Sequence, residues 1–177
     1  KAKPGYLKYG SAGNGTVNHL IGPMIATAGG VQLTHVPYRG IAIAVTNIIA
    51  NEVQLAFGSM PSVIGQIRGG LIRPLAVTTE RRLDALKDVP TMIEQGFAGF
   101  VVTPWFGILT TGGTPPAIVN RLAAEIAKVA KNPDAKEKAS SQGAELVSMT
   151  PQEFSDYIRK MTGHFAKVVK ATGMRPD

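Results

Sequence analysis

The stretch Tyr9-Gly-Ser-Ala-Gly-Asn-Gly-Thr16 follows a short apolar run at 7–10 and leads into a helical pattern over 17–28. A strand, a glycine-rich turn and a helix in that order form the opening unit of a parallel α/β sheet. Glycines let successive backbone N–H groups converge, and the helix N-terminus adds partial positive charge. The hydroxyls of Ser11 and Thr16 add donors, so the turn has the chemistry of an anion pocket for a carboxylate or phosphate. No Lys-Ser/Thr follows the last glycine, which excludes a Walker loop. The spacing is GxxGxG, which is not the dinucleotide fingerprint. A tight strand–helix turn that holds no ligand is the competing reading.

Outward from this unit the alternation continues. A strand over 32–36 ends in His35-Val-Pro-Tyr-Arg-Gly40, a helix spans 42–50, and a third strand over 53–57 ends in Phe57-Gly-Ser-Met60. Ligands in open parallel sheets lie outside the C-terminal strand ends. Tyr38 offers a hydroxyl and a ring face, Arg39 a carboxylate grip, Gly40 a close backbone approach and Ser59 another donor. A simple turn shaped by Pro37 and Gly40 is the competing reading, and Arg39 by itself reads as a solvated side chain.

Beyond the third strand, a helix over 61–68 stops at Gly69-Gly70, and 72–77 reads as a fourth strand with Pro74 near an edge or bulge. A short helix is predicted at 92–95. The apolar run 100–109 is long enough to pass between two packed units. Thr114-Pro-Pro predicts a helix with Thr114 as N-cap, running to Lys131. A further helix runs from Pro133 to Gly143, and a short strand spans 145–148. Thr150-Pro-Gln-Glu is a capping box that opens a terminal helix to Ala171.

Composition narrows the function. The 177 residues include no cysteine, which excludes a thiolate zinc site, an Fe–S cluster and a cysteine nucleophile. This length predicts one domain or two small ones, with a core that needs no staple. No apolar run approaches the roughly 20 residues of a membrane span. The chain starts at Lys1 with no signal-like segment, so a processed product or a piece of a longer chain is expected.

The net charge of +7 is unevenly spread: between Tyr9 and Ile67 the only formal charges are Arg39 and Glu52. Residues 120–177 interleave ten basic and seven acidic side chains at helical spacings, as solvated helix faces do. Phe154, Tyr157 and Phe165 suit a helix core face, and no basic stripe with stacking aromatics speaks for nucleic acid. The uncharged helices predict a cover over part of their surface: a missing half of the chain, a partner subunit or a neighbouring chain.

Catalysis is poorly supplied. His19, His35 and His164 lie far apart in sequence, no HExxH or GxSxG is present, and Glu52 is the only acid between Tyr9 and Ile67. His35, on a strand, reads as a structural histidine. No cofactor or metal is expected.

These motifs together resemble a family. YGSAGNGT with HL at 19–20, HVPYRG at 35–40, RPLAVTTERR at 73–82, DVPTMIEQGF at 88–97, PWFGILTTGGTP at 104–115 and TPQEF at 150–154 occur in the order of the tripartite tricarboxylate transporter substrate-binding proteins, the Bug family. The resemblance covers essentially the whole chain. It implies an α/β fold like a type II periplasmic binding protein, with one complete parallel-sheet lobe over 6–103. Residues 104–177 then form the crossover and the helix-rich C-terminal part of a second lobe. It also implies a periplasmic solute-binding protein without enzymatic activity, which takes a small carboxylic acid (di- or tricarboxylate, acidic amino acid or aromatic acid) and hands it to membrane permease subunits.

By this resemblance a ligand carboxylate is held by Ser11, Ala12, Gly13, Asn14, Gly15 and Thr16, while Pro37, Tyr38 and Gly40 face the cleft. Three positions depart from the family pattern. Ile43 stands for the usual proline, Asn47 for an acidic residue, and Ala50-Asn51 for a frequent Gly-Gly turn. The family's N-terminal portion, with a PGG loop and a nearby Asp, has no counterpart here, so the chain alone is expected to bind poorly or not at all. A ligand-sensing domain of a transcription regulator and a small α/β transferase or hydrolase are the rival readings.

Overall fold

The computed structural model describes residues 3–172. Three strands form a parallel sheet in the order β2-β1-β3: β1 Lys8–Ser11, β2 Thr34–Pro37 and β3 Leu55–Ala56. Tyr9 pairs with His35 on one side and Leu55 on the other, so the strand that carries the glycine-rich turn is central. Helices α1 Val17–Gly29, α2 Ile41–Ile49 and α3 Met60–Arg68 each follow one strand. All three strand C-termini therefore lie along one edge, as the alternation predicts.

The sheet is covered on both faces, and β1 shows how. Its side chains alternate, so Tyr9 and Gly10 point opposite ways. A Cβ on Gly22 of α1 would lie 2.2 Å from the Tyr9 ring, and one on Gly10 would lie 2.9 Å from Ala44 of α2. Glycine at these two points lets each helix approach the strand closely. On the α1 side Ile21, Met92, Phe100 and Val102 form a buried cluster. Ala44, Val45 and Val53 are also buried.

Pro23 sits inside α1. Proline has no N–H, so the carbonyl of His19, four residues earlier, loses its helical donor. The Tyr9 hydroxyl supplies one, donating to His19 O at 3.2 Å. Burial pushes the Tyr9 pKa up to about 12, which keeps this donor protonated. One tyrosine thus caps a gap in the helix and fixes α1 on β1.

The second half is helical: α4 Pro116–Lys131, α5 Pro133–Ser141 and α6 Pro151–Thr172. The Thr150 capping box forms as predicted, with Thr150 N donating to Glu153 Oε2 at 2.8 Å and Glu153 N to Thr150 Oγ1 at 3.2 Å. Trp105 meets Phe154 and Tyr157 of α6 edge to face, with ring centroids 5.6 and 5.5 Å apart. These rings therefore serve packing, as their spacing implies. Arg68 Nη2 donates to Ser141 O at 2.7 Å and ties α3 to α5. No helix among the described residues is long and apolar enough to cross a membrane.

Four local expectations differ from the structure. Residues 72–77 form no strand; only Val77 bridges Thr91, because Pro74 cannot donate to a ladder. Residues 92–95 make a single turn, capped by Thr91 and Glu94. Residues 145–148 are not a strand, since none of the described residues pairs with them. Helix α4 begins at Pro116 with Pro115, not Thr114, as N-cap, because a residue before proline is held extended (φ −55°, ψ 137°).

The apolar surface left open lies mostly outside the uncharged helices. Ile43 and Ile49 of α2 are exposed, but Phe106 (84% exposed), Ile108, Leu109 and Val147 are more so.

Replacing Tyr9 by Phe should cost about 1–2 kcal/mol, the cost of a buried carbonyl left without its donor. In a Pro23→Ala background the helix regains its own donor, and the same replacement should cost clearly less. Urea unfolding of the four proteins in this double-mutant cycle measures the difference; equal costs in both backgrounds contradict the pairing.

Candidate functional site

At the C-terminal edge of the sheet the chain turns out of β1, and the sequence dictates how. Gly13 (φ 130°) and Gly15 (φ 72°) take conformations that side chains disfavour. Thr16 ends the turn as N-cap of α1. Its Oγ1 accepts from His19 N at 3.3 Å and donates to Gly13 O at 2.7 Å, closing the loop on itself. Among the described residues, the amides of Val17 and Asn18 donate to no backbone carbonyl. They are the orphan donors of a helix start, the groups that attract an anion. Asn14 and Gly15 are exposed, while Ala12, Gly13 and Thr16 are half-buried.

Ser11 is placed differently from its neighbours. It is fully buried, and its Oγ accepts from Gly13 N and donates to Gly13 O, both at 3.1 Å. The same oxygen lies 2.7 Å from His35 Nε2. Ser11 therefore shapes the turn from beneath.

The second motif abuts the first. Tyr38 N donates to Ser11 O at 3.2 Å, the Tyr38 ring covers Gly10, and a Cβ on Gly13 would lie 3.4 Å from Tyr38 O. Gly40 (φ 131°) is the N-cap of α2, and Pro37, exposed, ends β2. Ser59 is the N-cap of α3, its Oγ 2.9 Å from Ser62 Oγ and so engaged within its own helix turn. The structure thus unites residues 11–16 with 37–40 directly, and Ser59 shares only the sheet edge. The side-chain amide of Asn18 links that third strand end to the turn by donating to Phe57 O.

Two histidines that sequence separates are stacked here. The His19 and His35 rings lie 3.8 Å apart at 8°. Gly15 N donates to His19 Nδ1 at 3.2 Å. Burial first, and His19 second, lower the His35 pKa from 6.5 to about 4. Neither His19 nor Asn18 stands out in the sequence as a functional residue; the usable signal was a histidine four places after Gly15 in the first helical turn. Beside the turn a groove of about 380 Å³ runs between Gly15, Val17 and Leu20, Trp105, and the α6 side chains Ile158, Met161 and Phe165. Among the described residues, no three His, Cys, Asp or Glu come together to hold a metal.

Residues 1–174 match the family described as the tripartite tricarboxylate transporter family receptor. The chain belongs to that family. A UPF0065 protein from the tcbD-tcbE intergenic region of Pseudomonas sp. (strain P51) is 35% identical over 170 residues, which are 96% of this chain and 51% of that protein. The solved structure of R. palustris Rpa4515 with adipate superposes with a TM-score of 0.95 at 31% identity, over 99% of this chain and 59% of that one. The periplasmic binding protein BugD gives a TM-score of 0.90 at 30% identity, over 99% and 60%. The α/β, periplasmic-binding-protein fold expected from the sequence is thereby established, as is membership of a substrate-binding receptor family. The chain spans about half the length of the curated relatives it matches.

The half-buried His35 makes folding sensitive to acid. The unfolded chain protonates it near 6.5 and the folded chain only near 4, so between these values the unfolded state binds more protons. The stability contributed by neutral His35 is complete above about pH 6.5 and is lost as the pH falls toward 4. Replacing His35 by Gln should flatten this part of the profile of unfolding free energy against pH, measured by urea unfolding; an unchanged slope contradicts the assignment.

Proposed function

We propose that this chain contributes the carboxylate-holding half of a periplasmic solute receptor, which captures a small dicarboxylate and delivers it to permease subunits of a tripartite tricarboxylate-type transporter. The observation that carries the reading is the turn over 11–16. It presents the orphan amides of α1 at the C-terminal edge of a parallel sheet, in a stretch whose only formal charges are Arg39 and Glu52. Its place on a family member with an adipate-bound relative supports a carboxylate over a phosphate.

In this reading Gly13, Asn14, Gly15 and Thr16 form the wall around the anion. Ala12 and Ser11 set its floor, and Pro37, Tyr38 and Gly40 border it. Residues 6–103 act as the lobe that holds the carboxylate, and 104–177 as the crossover and part of the other lobe. Each charge-assisted hydrogen bond is worth roughly 1.5–3 kcal/mol before ordering costs. Two amides support about millimolar binding, near −4 kcal/mol. The micromolar range, near −8 kcal/mol, takes the further donors and the exclusion of water that lobe closure brings. The apolar groove beside Gly15 suits the methylene chain of a dicarboxylate.

The test is an NMR titration of the ¹⁵N-labelled chain with adipate. The amides of residues 13–18 should shift together, and Thr16→Ala, which unties the turn and its cap, should weaken binding about tenfold. An affinity unchanged by that substitution, or shifts confined to other regions, refutes the anion pocket.

A further inference from the structure

Resting on that reading of the turn, we propose that His19 is a proton-operated gate on the anion pocket, withholding the Gly15 amide when neutral and releasing it when protonated. The geometry is specific. Gly15 N–H donates to His19 Nδ1 at 3.2 Å, so the neutral ring accepts there and carries its proton on Nε2. Protonation makes Nδ1 a donor, and two donors cannot share that contact. The Gly15 amide is then free for an anion, with a positive charge four residues away at the same helix start.

The surroundings hold the ring in place and assign the proton to it. Its own backbone carbonyl is anchored by Tyr9 across the gap that Pro23 leaves. Its face stacks on His35, whose Nε2 is tied to the buried Ser11. His35 resists protonation until about pH 4, so His19 stacks on a neutral partner through the range above that. Among the described residues, Tyr9 on β1, kept neutral, packs 4.9 Å from the His35 ring. The α6 side chains lining the groove beside Gly15 (Ile158, Met161, Thr162 and Phe165) carry no charge. Anion binding and protonation of His19 are therefore linked, each favouring the other.

NMR of the labelled chain tests this with and without a ligand. Without ligand, the Gly15 amide should titrate with the same midpoint as the His19 ring, and His19→Phe should abolish that titration; a Gly15 amide indifferent to the His19 midpoint overturns the gate. With adipate, affinity should rise about fivefold or more from pH 8 to pH 6, against the ligand's own loss of charge, and the His19 midpoint should move up on saturation. His19→Phe should remove that dependence while leaving the shifts at residues 13–18. Equal affinity at both pH values in the unsubstituted chain overturns the gate and leaves the pocket standing. No adipate-induced shift at residues 13–18 at either pH overturns the pocket, and with it the gate as a regulator of binding. His19→Gln, which retains a side-chain acceptor for Gly15 without a proton switch, should fold and bind at one pH-independent level; a pH-dependent affinity in that variant contradicts the assignment to His19.

Discussion

The carbonyl of His19 has no donor within its own helix, because Pro23 stands where the N–H should be, and the buried hydroxyl of Tyr9 fills the gap. Much else depends on this bond. It sets the height and rotation of α1 over the central strand, where Gly22 allows the ring to approach without a Cβ in the way. With α1 so placed, Asn18 reaches Phe57 O at the end of β3, and the His19 ring stacks on His35 of β2. The first turn of one helix is thus tied to all three strands. The amides of the preceding loop are consequently held in place before any ligand arrives.

Such rigidity matters because the stretch from Tyr9 to Ile67 that carries the turn has only Arg39 and Glu52 as formal charges. A lysine or arginine would attract any anion strongly and release it slowly. Backbone amides attract modestly and discriminate by geometry, provided they need no reordering on binding. Ser11 serves that end from below, turned inward to Gly13 and His35, where a sequence reading placed it at the ligand. The cost of this arrangement is a half-buried histidine that takes a proton only near pH 4, which makes the folded chain sensitive to acid.

The sequence discloses the strand–turn–helix alternation, the edge on which the motifs gather, and the family. Those features rest on short-range pattern: glycines at fixed spacing, apolar runs of strand length, a capping box at Thr150. What it hides depends on distance in three dimensions. Nothing local marks Tyr9 as the partner of a carbonyl opposite Pro23, or brings His19 within 3.8 Å of His35. The missing strands at 72–77 and 145–148 follow the same logic. Their apolar, β-prone residues meet the local requirement, yet a strand exists only where a neighbour offers a ladder, and Pro74 and the exposed surroundings of Val147 provide none. The open apolar side chains at Phe106, Ile108 and Leu109 likewise arise from how the second half packs, not from its composition.

The proposed function rests on backbone amides at the start of α1 receiving a carboxylate. Amide hydrogen exchange in the presence of adipate, compared with its uncharged dimethyl ester at the same concentration, tests it most directly. Exchange at residues 13–18 should slow with adipate and stay unchanged with the ester. Equal protection by both compounds, or protection by adipate elsewhere in the chain only, would contradict it.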